Sequence, residues 1–176
     1  MIDLKSRDDA PLEDAARSQE RRCRYAPVRA RLESLLDGQE DWVSAMATVA
    51  SELHQSFEAF HWTGFYRRTA PELLRIGPYQ GGHGCLAIPL GQGVCGAAAR
   101  SAEVQRLDDV RDFEGHIACS ATTRSEIVVP ITDRSGRVFA VLDIDSDDPG
   151  AFTDEDEAQL VALCRWLGDR YGNAAS

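Results

Sequence analysis

The sequence lacks the excess of positive charge that proteins bound to nucleic acids or membrane surfaces need. Lysine and arginine together number 19 against 29 aspartates and glutamates, which gives a formal charge of −10 at pH 7. Phosphate backbones and anionic lipid headgroups would repel such a surface. We therefore expect neither a nucleic acid nor a membrane among the partners of this protein.

Targeting signals and long apolar runs are also missing. Residues 1–9 show neither the basic start nor the apolar stretch of a signal peptide. No apolar run approaches the roughly 20 residues that a membrane-spanning helix requires. These absences predict a cytoplasmic protein.

Paired cysteine motifs are the third absence. The five cysteines are an odd number and include no C-x-x-C pair. Reducing compartments keep structural disulfides rare, so any pairing is expected to be transient and catalytic. A zinc site would have to combine three cysteines with two histidines whose spacing is not that of a zinc motif, and no metal is expected. These residues are Cys85, Cys95, Cys119, His83 and His116.

Helical patterns occupy the first third of the chain. Residues 1–20 are polar with almost no apolar periodicity, which predicts a mobile or loosely helical arm. Apolar residues then recur at helical spacing over 28–36 and again over 42–53. The length fits a single core. We divide the chain into an N-terminal arm and helix, 1–38, and a domain over 39–176 that carries the candidate site.

From residue 62 the apolar period shortens toward two, within runs bounded by glycine and proline, which is typical of strands. The chain closes on a helix that Thr153 can cap. Helices first, an antiparallel sheet in the middle and a helix last predict an α+β fold. The predicted strands cover 62–67, 72–76, 86–90, 105–107 and the two arms of a hairpin over 127–145, and a short predicted helix covers 94–100.

The second arm of the hairpin alternates between two faces. One face takes Val138, Ala140, Leu142 and Ile144, and the other takes Phe139, Val141, Asp143 and Asp145. A connection of two or four unpaired residues would place Glu126 opposite Asp143, whereas a three-residue loop would place it opposite Ile144. We favour the first arrangement, because the second would bury a carboxylate without an evident partner.

Glu126, Asp143 and Asp145 would then share one face at the end of the hairpin. Facing carboxylates repel one another, and burial raises the pKa of at least one of them. One interpretation is a solvated strand end with scattered acids. The other is a pocket for a ligand that carries an ammonium group, with one acid able to donate a proton.

Three cysteines, Cys85, Cys95 and Cys119, lie among glycines, alanines and serines near the ends of elements, where a thiol can be reached. They could equally be buried, inert thiols. Redox use would require a nucleophile and a second thiol to resolve it. Arg124, His116 or a helix N-terminus could increase the thiolate fraction of a reactive cysteine.

The remaining two cysteines are not candidates. Cys164 falls on the apolar face of the last helix, which predicts a core residue, and Cys23 has no assigned role.

Among the aromatics, Trp62 and Tyr66 would share a strand face with Gly64 between them. They are either ordinary core or a wall for an apolar or cationic ligand group.

In order and spacing, several segments together resemble the GAF-domain free methionine-(R)-sulfoxide reductases. The resemblance covers residues 40–170, and the cysteines with G-H-I-A-C and S-E-I-V make it more specific than a general GAF pattern. The matching segments are W-T-G-F-Y at 62–66, G-P-Y-Q-G at 77–81, Cys85, G-V-C-G at 93–96, G-H-I-A-C at 115–119, S-E-I-V-V-P at 125–130 and V-L-D-I-D-S at 141–146.

This resemblance implies a GAF fold, a central antiparallel sheet flanked by helices, and reduction of free L-methionine-(R)-sulfoxide. It implies that Cys119 is the nucleophile, that Cys85 is the main resolving thiol and that Cys95 helps to resolve or relay. No cofactor is bound in the family; thioredoxin, and ultimately NADPH, supplies the electrons during oxidative stress. A homodimer formed through the N-terminal helices is also expected from the family.

The resemblance also assigns the substrate site. Glu126, Asp143 and Asp145 correspond to the carboxylates that hold the substrate and assist at the sulfoxide oxygen. Trp62 and Tyr66 correspond to the aromatic wall. The alternative from a different class is a non-catalytic GAF module that senses a small ligand through redox-responsive thiols, and a reductase acting on peptides is a third.

The sequence departs from the family pattern at several positions near the site. Ser120 replaces an expected acidic residue after the candidate nucleophile, which would alter the local pKa. Tyr79 replaces an expected phenylalanine. The Gly82-His83-Gly84 segment before Cys85 has more glycine than expected, which would loosen the resolving loop.

Overall fold

The computed structural model describes residues 10–115, 117 and 119–173, with side chains described from Ser18 onward. Among these residues, no helix has both the length and the apolar character needed to cross a membrane. The helices are α1 (Ala10–Leu35), α2 (Trp42–Ser56), α3 (Gly93–Ser101) and α4 (Asp154–Tyr171), with a 3-10 turn at Val110–Asp112. The strands are β1 (Trp62–Ala70), β2 (Leu73–Gln80), β3 (Ala87–Pro89), β4 (Gln105–Leu107), β5 (Ser125–Thr132) and β6 (Val138–Ser146).

The six strands form one antiparallel sheet in the order β3-β2-β1-β6-β5-β4. One face of the sheet packs against α2 and α4, on which α1 lies in turn, and these elements form the main core. The other face packs against α3, the helix that carries Cys95, and forms a smaller apolar cluster. The predicted α+β architecture, an antiparallel sheet flanked by helices, is therefore confirmed.

Helix α1 is longer than its apolar pattern predicts. The expected loose arm over 1–20 lies partly outside the described residues, but residues 10–20 are the first turns of α1. Their alanine, glutamate and arginine content explains the helix, because these residues have high helix propensity without any apolar face. Further along, Tyr25, Val28 and Leu32 are buried in the main core.

Helix α1 is anchored to the start of α4 by polar contacts. Thr153 caps α4 as predicted, and Asp156 completes the capping box. The same Asp156 side chain is fully buried and accepts a hydrogen bond of 3.0 Å from the Tyr25 hydroxyl. Arg22 pairs with Glu155 at 2.7 Å.

Replacing Tyr25 with phenylalanine is expected to lower the free energy of unfolding by about 1–3 kcal/mol, because a buried carboxylate oxygen loses its donor. Urea denaturation of both proteins measures the difference. A change below about 0.5 kcal/mol, the range of ordinary surface substitutions, would show that this contact does not hold α1 in place.

The β5–β6 hairpin corrects the predicted register. Its loop leaves three residues unpaired, since the Asp133 amide donates to the Arg137 carbonyl at 3.0 Å, and Gly136 has φ +84°. A three-residue loop alone would put Glu126 opposite Ile144. A β-bulge follows, however, because Ile131 pairs with Ala140 whereas Thr132 pairs with Val138.

The bulge adds one residue, Phe139, to β6, and Glu126 therefore lies opposite Asp145. The prediction that it lies opposite Asp143 was wrong; Asp143 faces Val128. The bulge also places Val138 and Phe139 on the faces opposite to those predicted. Phe139 packs in the main core, with its ring centroid 5.6 Å from that of Trp42, and Val138 joins the smaller cluster on the other face of the sheet. Loop and bulge together still leave all three carboxylates on one face.

Candidate active site

The predicted site residues converge on one pocket between the sheet and α3. About 480 Å³ of space lies between the protein atoms here, a figure that includes the solvent at the mouth of the pocket. Of the eight predicted site residues, all except Cys85 line the pocket, and Cys85 is bonded to one that does. The lining residues that were predicted are Trp62, Tyr66, Cys95, Cys119, Glu126, Asp143 and Asp145.

Cys85 and Cys119 form a disulfide in the structure. Their Cα atoms are 5.2 Å apart, within the normal range for a bridge, so this pairing needs no further movement of the loops. Both cysteines are only half-buried. The bond joins the loop after β2 to the segment before β5, and it lies where an external thiol can reach it.

The carboxylates form the floor of the pocket. Glu126 and Asp143 are only 6% and 5% exposed, and Asp145 at the end of β6 is half-buried. Burial raises the pKa of Glu126 well above its usual range, and the charges of Asp143 and Asp145 add to the effect. Burial raises the pKa of Asp143 to about 7, although hydrogen bonds from Cys95 and Glu126 oppose the shift.

Burial also raises the pKa of Asp145, with a further contribution from the Asp143 charge. The carboxyl groups of the cluster therefore retain their protons to a higher pH than exposed carboxyl groups do. It has one neighbouring thiol, Cys95, whose Sγ lies within 4.8 Å of carboxylate oxygens of Glu126 and Asp143. Such a cluster can bind a cation, donate a proton, or do both.

Cys95 is fixed in this position by the close approach of α3 to the preceding turn. A Cβ on Gly96 would lie 2.5 Å from the Pro89 carbonyl oxygen, so only glycine fits there. Cys95 is 4% exposed, and burial next to Asp143 and Glu126 raises its pKa well above the normal value. This thiol is therefore a weak nucleophile compared with a half-exposed cysteine.

The aromatic wall is compact. The rings of Trp62 and Tyr66 are stacked with centroids 6.0 Å apart. Gly64 does not leave an open space between them, because a Cβ there would lie 2.5 Å from the Trp62 ring. The indole Nε1 of Trp62 donates to the Gly82 carbonyl at 3.1 Å, which connects the wall to the loop carrying Cys85.

Several lining residues were not predicted as site residues. Ile88, Val94 and Ile117 add apolar surface, and His83, Ser120 and Thr123 add polar groups to the lining. The polar residues lie within four positions of Cys85 or Cys119 in the sequence, which is the signal that could have identified them. Ile117 contacts the start of α3, since a Cβ on Gly93 would lie 3.3 Å from its side chain.

Arg124 and His116 were expected to be able to increase the thiolate fraction of the reactive cysteine. Arg124 pairs with Asp109, the two side chains being 3.0 Å apart. His116 lies outside the described residues. The prediction that Cys164 is a core residue is confirmed, since Cys164 is buried in the main core; Cys23, which was assigned no role, is exposed on α1.

Comparison with known proteins decides the family. The GAF domain model matches residues 39–168. The chain is 41% identical over 143 residues to the free methionine-R-sulfoxide reductase of Escherichia coli, a match that covers 81% of this chain and 86% of the relative. The chain belongs to the GAF-domain family of free methionine-(R)-sulfoxide reductases.

Further relatives of the family agree with this placement. The Saccharomyces cerevisiae free methionine-R-sulfoxide reductase is 40% identical over 141 residues, 77% of this chain and 78% of the relative. The structure of the Neisseria meningitidis free methionine-R-sulfoxide reductase in complex with its substrate superposes with a TM-score of 0.79 at 38% identity, covering 84% of this chain and 88% of that one.

Proposed function

We propose that this protein reduces free L-methionine-(R)-sulfoxide to methionine, with Cys119 as the nucleophile and Cys85 as the resolving thiol. The observation that carries the proposal is the position of the Cys85–Cys119 pair on the pocket whose floor is the three-carboxylate cluster. Family membership supplies the reaction class. The assignment of roles to individual residues is our inference from their surroundings.

The carboxylates suit a free amino acid. The ammonium group of methionine sulfoxide would place a positive charge beside Glu126, Asp143 and Asp145, and would lower the pKa of whichever acid it contacts. Trp62 and Tyr66 are positioned to flank the apolar part of the substrate. A peptide would present an uncharged amide in place of the ammonium, leaving buried acids without a counter-ion.

The chemistry divides into two steps. The Cys119 thiolate attacks the sulfoxide sulfur while an acid of the cluster donates a proton to the oxygen. The sulfur–oxygen bond then breaks as the hydroxyl passes to the Cys119 sulfur, so that methionine leaves and Cys119 becomes a sulfenic acid. The Cys85 thiolate then attacks Cys119 sulfur, a disulfide forms and water leaves. The sulfoxide is reduced by two electrons and the thiol pair is oxidised by two.

Cys95 is a weaker candidate for direct resolution than Cys85. Its thiol is buried next to Asp143, whereas Cys85 is half-exposed and lies within bridging distance of Cys119. A role for Cys95 in resolving or relaying the disulfide would require its buried, weakly nucleophilic thiol to react. This role stays a prediction.

An external dithiol completes the cycle. Thioredoxin, reduced ultimately by NADPH, is the proposed reductant, because the half-buried disulfide is open to attack by a protein thiolate. A catalytic disulfide of this kind fits the reducing cytoplasm, where we place the protein. The homodimer formed through the N-terminal helices stays a prediction.

The substrate assignment is tested by NADPH consumption in the presence of thioredoxin and thioredoxin reductase. We expect turnover with free L-methionine-(R)-sulfoxide, none above background with the S epimer, and a loss of about 100-fold or more in kcat/KM with the N-acetylated R epimer, whose ammonium is removed. Equal rates with free and N-acetylated substrates would contradict the role of the cluster. Tight binding of the R epimer without turnover would identify a sensor.

A further inference from the structure

The floor of the pocket brings together three groups that are typical metal ligands. Among the described residues, the Cys95 Sγ and carboxylate oxygens of Glu126 and Asp143 all lie within 4.8 Å of one another. All three residues are buried, with 4%, 6% and 5% of their surfaces exposed. They come from three different elements, α3, β5 and β6, so the fold itself brings them together.

A second observation points to a missing ligand at the same place. Among the residues that the structure describes, none forms a hydrogen bond with the buried Oδ1 atom of Asp143. A buried carboxylate oxygen that makes no hydrogen bond is costly, and a cation is the species that removes the cost most directly. The Asp143 carboxylate is also hydrogen-bonded to both of the other candidate ligands, Cys95 and Glu126.

The ligand types select among cations. A thiolate with two carboxylates suits zinc, which accepts sulfur at about 2.3 Å and oxygen at about 2.0–2.2 Å, whereas magnesium and calcium require oxygen ligands alone. In a tetrahedral zinc site the ligand atoms are about 3.3–3.6 Å apart. The three atoms here, which lie within 4.8 Å of one another, would have to approach by at most about 1.5 Å, which rotamer adjustments of Glu126 and Asp143 can supply.

We propose that this pocket binds a zinc ion through Cys95, Glu126 and Asp143, with the fourth position left to water, and that zinc excludes the substrate. Binding changes no oxidation state: the zinc ion displaces the protons of the thiol and carboxyl groups to solvent. The competition rests on the proposed function, because the ammonium of methionine sulfoxide would occupy the same carboxylates. The metal site itself does not depend on the proposed function.

The oxidised protein isolates this site from the other thiols of the pocket. With Cys85 and Cys119 joined, neither can supply a thiolate, and the remaining cysteines are Cys95, the exposed Cys23 and the core residue Cys164. Cobalt can replace zinc as a probe, since a thiolate bound to Co²⁺ gives a charge-transfer absorption in the near ultraviolet. That absorption reports the ligand and does not depend on enzyme activity.

The test is a titration of the full-length oxidised protein with Co²⁺. We expect a charge-transfer band that saturates at one equivalent, is removed by Zn²⁺ and is unaffected by Mg²⁺. Cys95→Ser should lose the band, and Asp143→Asn should weaken binding by about tenfold or more. Cys23→Ser, the matched control, should keep both band and affinity. Circular dichroism confirms that each variant is folded.

The outcomes separate the metal site from the proposed function. Absence of the band in the wild type, its retention in Cys95→Ser, or its loss in Cys23→Ser would overturn the site, whatever the protein does with methionine sulfoxide. Free methionine, which carries the same ammonium, should raise the Co²⁺ concentration needed for half-saturation. A band that depends on Cys95 but does not respond to methionine would overturn the exclusion of substrate.

Discussion

Replacing Cys119 with serine is expected to lower turnover of methionine-(R)-sulfoxide by about 1,000-fold or more, because the hydroxyl is a far weaker nucleophile than a thiolate. Replacing Cys85 with serine should have a different effect. The first methionine should still be released, since Cys119 remains, but the sulfenic acid should then lack its nearest partner. Rapid mixing of reduced protein with substrate, followed by quantification of methionine, distinguishes the two variants.

The control for these variants is Cys23→Ser. Cys23 is exposed on α1 and lies outside the pocket, so both the first release and the steady-state rate should be unchanged. Turnover by Cys119→Ser at more than a few per cent of the wild-type rate would exclude it as the nucleophile. A Cys85→Ser variant that releases no methionine at all would show that Cys85 acts before resolution.

Glu126→Gln is the second large change, with an expected loss of about 100- to 10,000-fold in kcat/KM. The amide keeps the shape of the side chain but can neither supply a proton nor balance the ammonium of the substrate. Glu58→Gln, the same substitution at an exposed position outside the site, should leave kinetics unchanged. A loss of less than about threefold in Glu126→Gln would remove Glu126 from the mechanism.

The pH dependence follows from the same cluster. Acid catalysis requires a protonated carboxyl, so activity is expected to fall as pH rises through the raised pKa values, of which that of Asp143 is about 7. Cys119 must instead lose its proton to become a thiolate, which is favoured as pH rises. The rate of the first step should therefore pass through a maximum as a function of pH. In Glu126→Gln the alkaline fall should be shifted or lost.

Stability should respond to the same groups with a defined sign. A carboxyl whose pKa is raised in the folded state stabilises the fold at pH below its unfolded pKa of about 4, and this contribution is lost as pH rises through the folded value. Glu126→Gln removes one such group. The variant should therefore gain stability over the wild type as pH rises from about 4 to about 8, as measured by thermal unfolding.

Much of the fold was readable from the sequence because its signals are local. The period-two runs and their glycine and proline boundaries identified the strands, and Thr153 marked the start of the last helix. Helix α1 extended beyond its apolar stripe, since propensity alone can sustain a helix that has no apolar periodicity. Its docking depends on Tyr25 reaching Asp156, 131 positions away, which no local pattern shows.

The register of the hairpin was not readable for the same reason. A bulge at Phe139 cancels the one-residue effect of the loop, and nothing in the residues near Phe139 requires it. The large Phe139 side chain packs beside Trp42 in the core, a contact between elements that are far apart in sequence. The sequence analysis therefore placed the three acids on the correct face but paired Glu126 with Asp143 instead of Asp145.

The components of the candidate site were identified partly through resemblance to a family. Residue types alone indicated a thiol near an acid cluster, but they left inert cysteines and a solvated strand end as alternatives. Tertiary structure adds the depth of burial, which raises the pKa of Glu126, and the spacing of Cys85 and Cys119. It also shows Cys95 on the acid floor of the pocket, a position that no sequence signal gave.

The most direct test of the account is a single turnover without external reductant. Fully reduced protein is mixed with an excess of free L-methionine-(R)-sulfoxide, released methionine is quantified, and the disulfide is located by peptide mass spectrometry. We expect one methionine per chain and a Cys85–Cys119 bond that forms at the same rate or later, with no release from the S epimer. Absence of methionine, or equal release from both epimers, would contradict it.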